Sequence, residues 1–125
     1  MKSMLIVIAA PVRSGTQDRE DLIQENLHRM EQAALGVYQK GHIPLIGEWL
    51  AFPLSRIAGS KKTGDKISES FLYPVAHRLI QRCDAILRLP GASQGADNDV
   101  RVGMASGLAI YYHLSEIPDL PLQRE

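Results

Sequence analysis

The chain has 125 residues, 45% apolar and 22% charged, with 14 Lys+Arg matched by 14 Asp+Glu. That is enough for a single domain, residues 1–125, able to bury a core without staples. Zero formal net charge excludes bulk electrostatic binding to a nucleic-acid polymer or a membrane surface, but leaves room for a small anion held by one or two side chains. The one cysteine, Cys83, cannot form an internal disulfide and points to a reducing, cytoplasmic setting.

In chain order, Met4 to Ala9 is a continuous apolar run closed by Ala10-Pro11. It predicts a strand buried on both faces, not a signal peptide, because the run is short and passes into a loop. The polar stretch Arg13 to Asp18 can supply turn and N-cap chemistry. Ile23, Leu27, Met30, Ala34 and Val37 fall at helical spacing, predicting a helix from about Asp18 to Lys40 that Gly41 stops. Ile43 to Ile46 predicts a second strand. Residues 47 to 66, with Gly47, Pro53, Gly59 and Gly64, read as a long loop, functional or mobile. A helix resumes near Ile67, with Pro74 set to separate or kink its first turn. Asp84 to Leu89 predicts a third buried strand, Pro90 to Gly95 a loop, Asp97 to Gly107 a short helix, and Leu108 to His113 a fourth strand. The tail from Ser115, with Pro118 and Pro121, is expected to lie over the surface. No apolar run approaches the ~20 residues needed to span a bilayer.

Strands alternating with helices imply right-handed crossovers and a mainly parallel sheet. The expected fold is therefore α/β, a flavodoxin- or Rossmann-like three-layer sandwich with four or five strands. Ligands on such sheets bind beyond the carboxyl ends of the strands, which directs attention to loops 10–17, 47–66, 90–96 and 114–118.

In the first of these loops, Ala10, Pro11, Arg13 and Gly15 are candidate ligand contacts. Small residues let backbone amides approach an anion, and Arg binds phosphate bidentately. The spacing is neither a P-loop nor the dinucleotide fingerprint, and Arg13 is equally compatible with a solvated loop position. Glu48, beside Trp49, follows the second strand; the Trp could stack on a base or cap the core. Gly91, Gly95 and Asp97 belong to the loop that enters the last helix. If Asp97 is the N-cap, Asp99 lies in the first turn, where amides and macrodipole hold a carboxylate ionised. Such a carboxylate can act as a nucleophile, although Asp is also common there as a cap. The four histidines show no metal spacing, so no metal is expected.

Three stretches together resemble the nucleoside 2-deoxyribosyltransferase superfamily, which includes deoxynucleoside monophosphate N-glycosidases. Ile8-Ala-Ala-Pro-Val-Arg-Ser-Gly is similar to the family's opening strand and Arg-containing loop, with Ala10 where Gly is usual. Cys83-Asp-Ala-Ile-Leu87 is similar to its Ala-Asp-Ala-Val-Val strand. Ser93-Gln-Gly-Ala-Asp-Asn-Asp99, followed by Gly103 and Gly107, resembles its Gly-Thr-x-x-Glu-x-Gly helix. The resemblance implies cleavage of a sugar–base bond, with Asp99 at the position of the family's nucleophilic Glu and Arg13 at that of an Arg contacting a 5′-phosphate. The family's second carboxylate falls in a stretch that reads Pro74-Val-Ala-His-Arg here, where His77 is the nearest ionisable group. Leu89-Pro-Gly is also similar, more distantly, to the loop of the lysine-decarboxylase-like phosphoribohydrolases.

The expected partner is a small nucleoside or nucleotide, with no cofactor. The expected activity is that of an N-glycosidase or deoxyribosyltransferase acting on a nucleoside 5′-monophosphate. The alternative is a nucleotide-binding protein of the same fold with degenerate catalysis. Relatives of this fold pair, so a homodimer or higher homo-oligomer is expected, with Tyr111-Tyr112 and apolar helix faces available for it.

Overall fold

The apolar run near the start of the chain becomes an inner strand of a parallel sheet. In the computed structural model, which describes residues 2–120, β1 (Leu5–Ala9) pairs with β2 (Ile43–Leu45) on one side and β3 (Ala85–Arg88) on the other. β3 in turn pairs with β4 (Ala109–Tyr111). The order is β2-β1-β3-β4 and every pair is parallel. β1 and β3 have a neighbour on each edge and helices over each face. Their side chains from Ile6 to Ala9 and from Ala85 to Arg88 are accordingly buried, which is why Ile6 to Ala9 and Ala85 to Leu87 read as unbroken apolar runs. The edge strands are only partly covered.

Helix α1 (Glu20–Gln39) covers one face. Ile23, Met30 and Ala34 pack with Ile8, and Val37 packs with Ile6, Ala85 and Leu87. Helices α3 (Lys66–Ile80) and α4 (Gln94–Ala105) cover the other, where Ile80, Ala96 and Val100 meet Val7, Ala9 and Ile86. The result is a single three-layer α/β domain of the Rossmann-like kind. The crossover through α1 carries the chain outward to β2, whereas the crossover through α4 carries it the opposite way to β4. The direction of winding therefore reverses between β1 and β3, and a crevice opens beyond their carboxyl ends.

Four expectations are corrected. Residues 47 to 66 are not one loop, since Glu48–Ile57 forms α2 despite Pro53. Pro53 points to solvent while Ala51, Phe52 and Ser55 are buried on the opposite side. Packing of that face, chiefly against α3, outweighs the lost backbone bond, ordinarily about 3 kcal/mol. Likewise α3 runs through Pro74 without a break, with Pro74 itself exposed. The last helix begins three residues earlier than expected. Its N-cap is Ser93, whose Oγ accepts from the Ala96 amide at 3.1 Å, so Asp97 is not the cap. Finally, the tail does not simply lie over the surface: Ile117 is buried, and the Pro118 carbonyl meets His42 Nε2 at 2.7 Å. Pro121 lies outside the described residues. Among those residues no helix is long and apolar enough to cross a membrane.

What remains of the central loop is ordered by one side chain. Asp65 caps α3 by accepting from the Ser68 amide at 2.8 Å, and it also accepts from the amides of Lys61 and Lys62 and from Ser60 Oγ. The Ser68 and Lys61 amides are the main reasons its carboxyl is held far below the usual range. Asp84 plays the structural part read from the sequence, since its Oδ2 accepts from the Leu5 amide at 2.8 Å.

Candidate functional site

A cavity of about 410 Å³ occupies the crevice between the ends of β1 and β3. β1 and the loop after it form one wall, the starts of α2 and α4 form two more, and one face of α3 closes the fourth. Apolar side chains, including Ile8, Met30, Phe52 and Leu72, surround four charged ones: Arg13, Glu48, Glu69 and Asp99. Pockets of about 300–1,000 Å³ with a few converging polar groups are typical of small-molecule sites.

Two carboxyls are strongly perturbed. Glu48 opens α2 directly after β2 and its turn, so the backbone delivers it to the sheet edge. Its pKa is raised to about 7, mainly by burial; its own backbone amide opposes the rise and the nearby Asp99 charge adds to it. Asp99 stands in the second turn of α4. Burial raises it to about 6, and the Arg88 charge partly offsets the rise. The expectation that first-turn amides would hold Asp99 ionised is therefore corrected in both position and sign. A helix that begins at Gln94 carries Asp99 past the free amides, and desolvation then dominates. Burial thus raises both carboxyls above the ordinary range, Glu48 further than Asp99. One cavity therefore holds two carboxyls that give up their protons at different pH.

Arg13 reaches the same cavity but is already paired. Its Nη2 donates to Asp18 Oδ1 at 2.9 Å and its Nη1 to Glu69 Oε1. The loop that positions it is tight: Thr16 Oγ1 donates to the Arg13 carbonyl at 2.6 Å, and the Asn26 side chain donates to the Val12 carbonyl and so ties it to α1. Gln17 and Asp18 both adopt positive φ, 53° and 59°. Such backbone is unfavourable for residues with a side chain, Asn and Asp least so. The Asp18–Arg13 pair helps hold that conformation. Gly64 allows the 60–65 segment to lie directly over the guanidinium, since a Cβ there would sit 2.5 Å from Arg13 Nε.

Of the residues singled out from sequence, Ala10, Arg13, Glu48, Gly95 and Asp99 line this cavity. Pro11, Gly15, Gly91 and Asp97 are not among its lining residues. Gly15 is exposed at φ 75°. Gly91 packs on Pro11, where a Cβ would meet Pro11 Cγ at 2.8 Å, so these two residues join the first and third loops. Asp97 turns to Arg88, pairing with its Nη2 at 2.9 Å. Arg88 is buried at the end of β3 and also donates to the carbonyls of Leu89 and Gly91. It thereby fixes the loop that leads into α4.

Sequence reasoning missed Glu69, Tyr73 and Ser93, which also line the cavity. Glu69 and Tyr73 are four residues apart on α3, hence on one face, and that spacing was a signal open to notice. His77 lies farther along α3 and meets the Asn98 side chain at 3.4 Å. Among the described residues no group of three or more His, Cys, Asp or Glu side chains is arranged to hold a metal ion. The chain matches no protein-family model and no curated protein.

Proposed function

We propose that this cavity binds a nucleoside 5′-monophosphate and cleaves its sugar–base bond. One observation carries the reading: Asp99, Glu48 and Arg13 line a single cavity at the strand-order switch point. The resemblance of three chain segments to the nucleoside 2-deoxyribosyltransferase superfamily supports it. So does the pair of carboxyls whose raised pKa values differ by about a unit, since a nucleophile and an acid must coexist at one pH.

In this mechanism an Asp99 oxygen attacks the anomeric carbon as the bond to the base nitrogen breaks. The leaving base takes the electron pair and receives the proton of Glu48. Water then attacks the anomeric carbon of the glycosyl ester, Glu48 accepts its proton, and Asp99 leaves as carboxylate. The balance is nucleotide plus water to free base plus sugar phosphate. Glu48 fills the role for which the Pro74–Arg78 stretch offers no acid. Arg13 holds the phosphate after exchanging Asp18 for it, and apolar walls such as Phe52 face the base.

The test is base release from a panel of nucleoside 5′-monophosphates, followed by chromatography. Release is expected with the native chain and not with Asp99→Asn, with a loss of about 10²–10⁴-fold for Glu48→Gln. Nucleotide binding without release from any substrate would overturn the catalytic part and leave a degenerate binding protein of the same fold. Release undiminished in Asp99→Asn would overturn the assignment of the nucleophile.

A further inference from the structure

A second cavity, of about 350 Å³, lies beside the first and shares Phe52 with it. Three features set it apart. Its wall carries the cationic side chains of Arg56, Lys61 and Lys62, none of which makes an ion pair among the described residues. Ser68 also lines it, is only 2% exposed, and has an Oγ with no hydrogen-bond partner. Among the described residues, that hydroxyl is the only buried side-chain polar atom left so. A buried hydroxyl without a partner costs about 1–3 kcal/mol, so its persistence beside three free cations is informative. The chain also invests in the geometry here. Asp65 gathers the amides of Lys61, Lys62 and Ser68 and so fixes the segment from which the lysines project.

The geometry points to a phosphoryl-anion site in this second cavity, with Lys61, Lys62 and Arg56 as its countercharges and Ser68 Oγ, sealed just beneath the wall until a ligand parts it, as a donor. A tetrahedral dianion suits these groups because it offers several acceptor oxygens at once, and cations bind it by charge-assisted hydrogen bonds. Two carboxylates share the wall, Asp18 and Glu20. Asp18 is committed to Arg13, and Glu20 accepts from Gln24 Nε2 at 3.1 Å on the exposed side of α1. Glu20 keeps its charge, so three cations on the wall stand against one carboxylate without a cationic partner. Asp18 also links the two cavities, since it lines the second while gripping Arg13 of the first. The phosphoryl group has two possible sources: free inorganic phosphate, or the 5′-phosphate of a nucleotide whose base occupies the first cavity, held between Arg13 and this cationic wall where Asp18 now lies. The site stands whether or not the first cavity breaks a glycosidic bond.

The experiment is titration of inorganic phosphate into the full chain, read by calorimetry and by 31P line broadening, at low salt. Saturable binding is expected, weakened about tenfold in Ser68→Ala and lost in the Lys61→Gln/Lys62→Gln double variant. Both lysines are exposed, so the double variant tests charge with little threat to folding. Ser68→Ala carries a second readout: removing the unpartnered hydroxyl should raise the melting temperature of the phosphate-free protein while lowering phosphate affinity. No saturable binding, or binding unchanged in both variants, overturns the proposal. A competing arm with a nucleoside 5′-monophosphate and the Asp99→Asn chain assigns the source. Mutual displacement identifies the nucleotide's own phosphate, and simultaneous binding identifies a separate phosphate. Neither result depends on turnover, so failure of the glycosidase reading would be seen separately.

Discussion

Replacing Glu48 with Gln should stabilise the protein above neutral pH and do so progressively less as the pH falls. In the folded chain burial raises the Glu48 carboxyl from 4.5 to about 7, whereas in the unfolded chain it titrates near its ordinary value. Between those two values the folded state holds a proton that the unfolded state has released. Stability is thus greatest below about pH 4 for this group, falls as pH rises through the window, and stays low above about 7. A rise from 4.5 to about 7 corresponds to about 3 kcal/mol. Because Glu48 is only partly buried and water can relax around it, about 1–3 kcal/mol is the expected size. Gln keeps the shape and removes the titration. Urea melts at pH 4 and pH 8 give the quantity directly, as the change in unfolding free energy on mutation at pH 8 minus that at pH 4. A positive difference of about 1–3 kcal/mol is expected, equivalent to about 4–12 °C in melting temperature for a domain of this size. A difference of zero would refute the reasoning, because it would mean that the Glu48 carboxyl is as well solvated in the cavity as in the unfolded chain.

The remaining predictions concern catalysis and packing. The pH profile of kcat/KM for base release should be bell-shaped, falling below about 6 as Asp99 takes up a proton and above about 7 as Glu48 loses one; the limbs belong to the pair, and Glu48→Gln should remove the alkaline one. Asp18→Asn tolerates the same positive φ but removes one of the two ion pairs of Arg13, leaving that to Glu69, so it should lower KM for a nucleoside monophosphate and leave KM for the free nucleoside unchanged; equal changes for both would place the phosphate away from Arg13. Gly103→Ala would drive a Cβ into Ile86 Cδ1, a side chain sealed in the core. A net destabilisation of about 1–2 kcal/mol is expected after the helix-propensity gain, and an unchanged melting temperature would show that Ile86 gives way freely.

Which parts of this were legible in the sequence follows from how far each determinant lies along the chain. Ile6 to Ala9 and Ala85 to Leu87 announce inner parallel strands, because burial on both faces requires continuous apolar residues. The spacing of Ile23, Met30, Ala34 and Val37 likewise announces α1. By contrast α2 was hidden, because Pro53 and Gly59 carry breaker signals and what sustains the helix is contact with α3, which no local rule contains. The start of α4 is not fixed locally either: Ser93, Asp97 and Asp99 are all acceptable caps, and only the bond from the Ala96 amide to Ser93 Oγ decides among them.

By itself, then, the sequence determined the parallel α/β architecture and sent the loops after β1 and β3 to one sheet edge, since periodicity and the handedness of crossovers are local or topological properties. It also supplied Arg13, Glu48 and Asp99 as chemically capable groups. Only the tertiary structure decided that these three line one cavity, that Arg13 is gripped by Asp18 and Glu69, and that Asp97 is spent on Arg88. It alone decided that the carboxyls of Asp99 and Glu48 are shifted upward as well. A carboxyl's pKa depends on how much water its surroundings exclude, and here part of the exclusion comes from Phe52 and Leu72 on α2 and α3, segments well separated in sequence from Asp99.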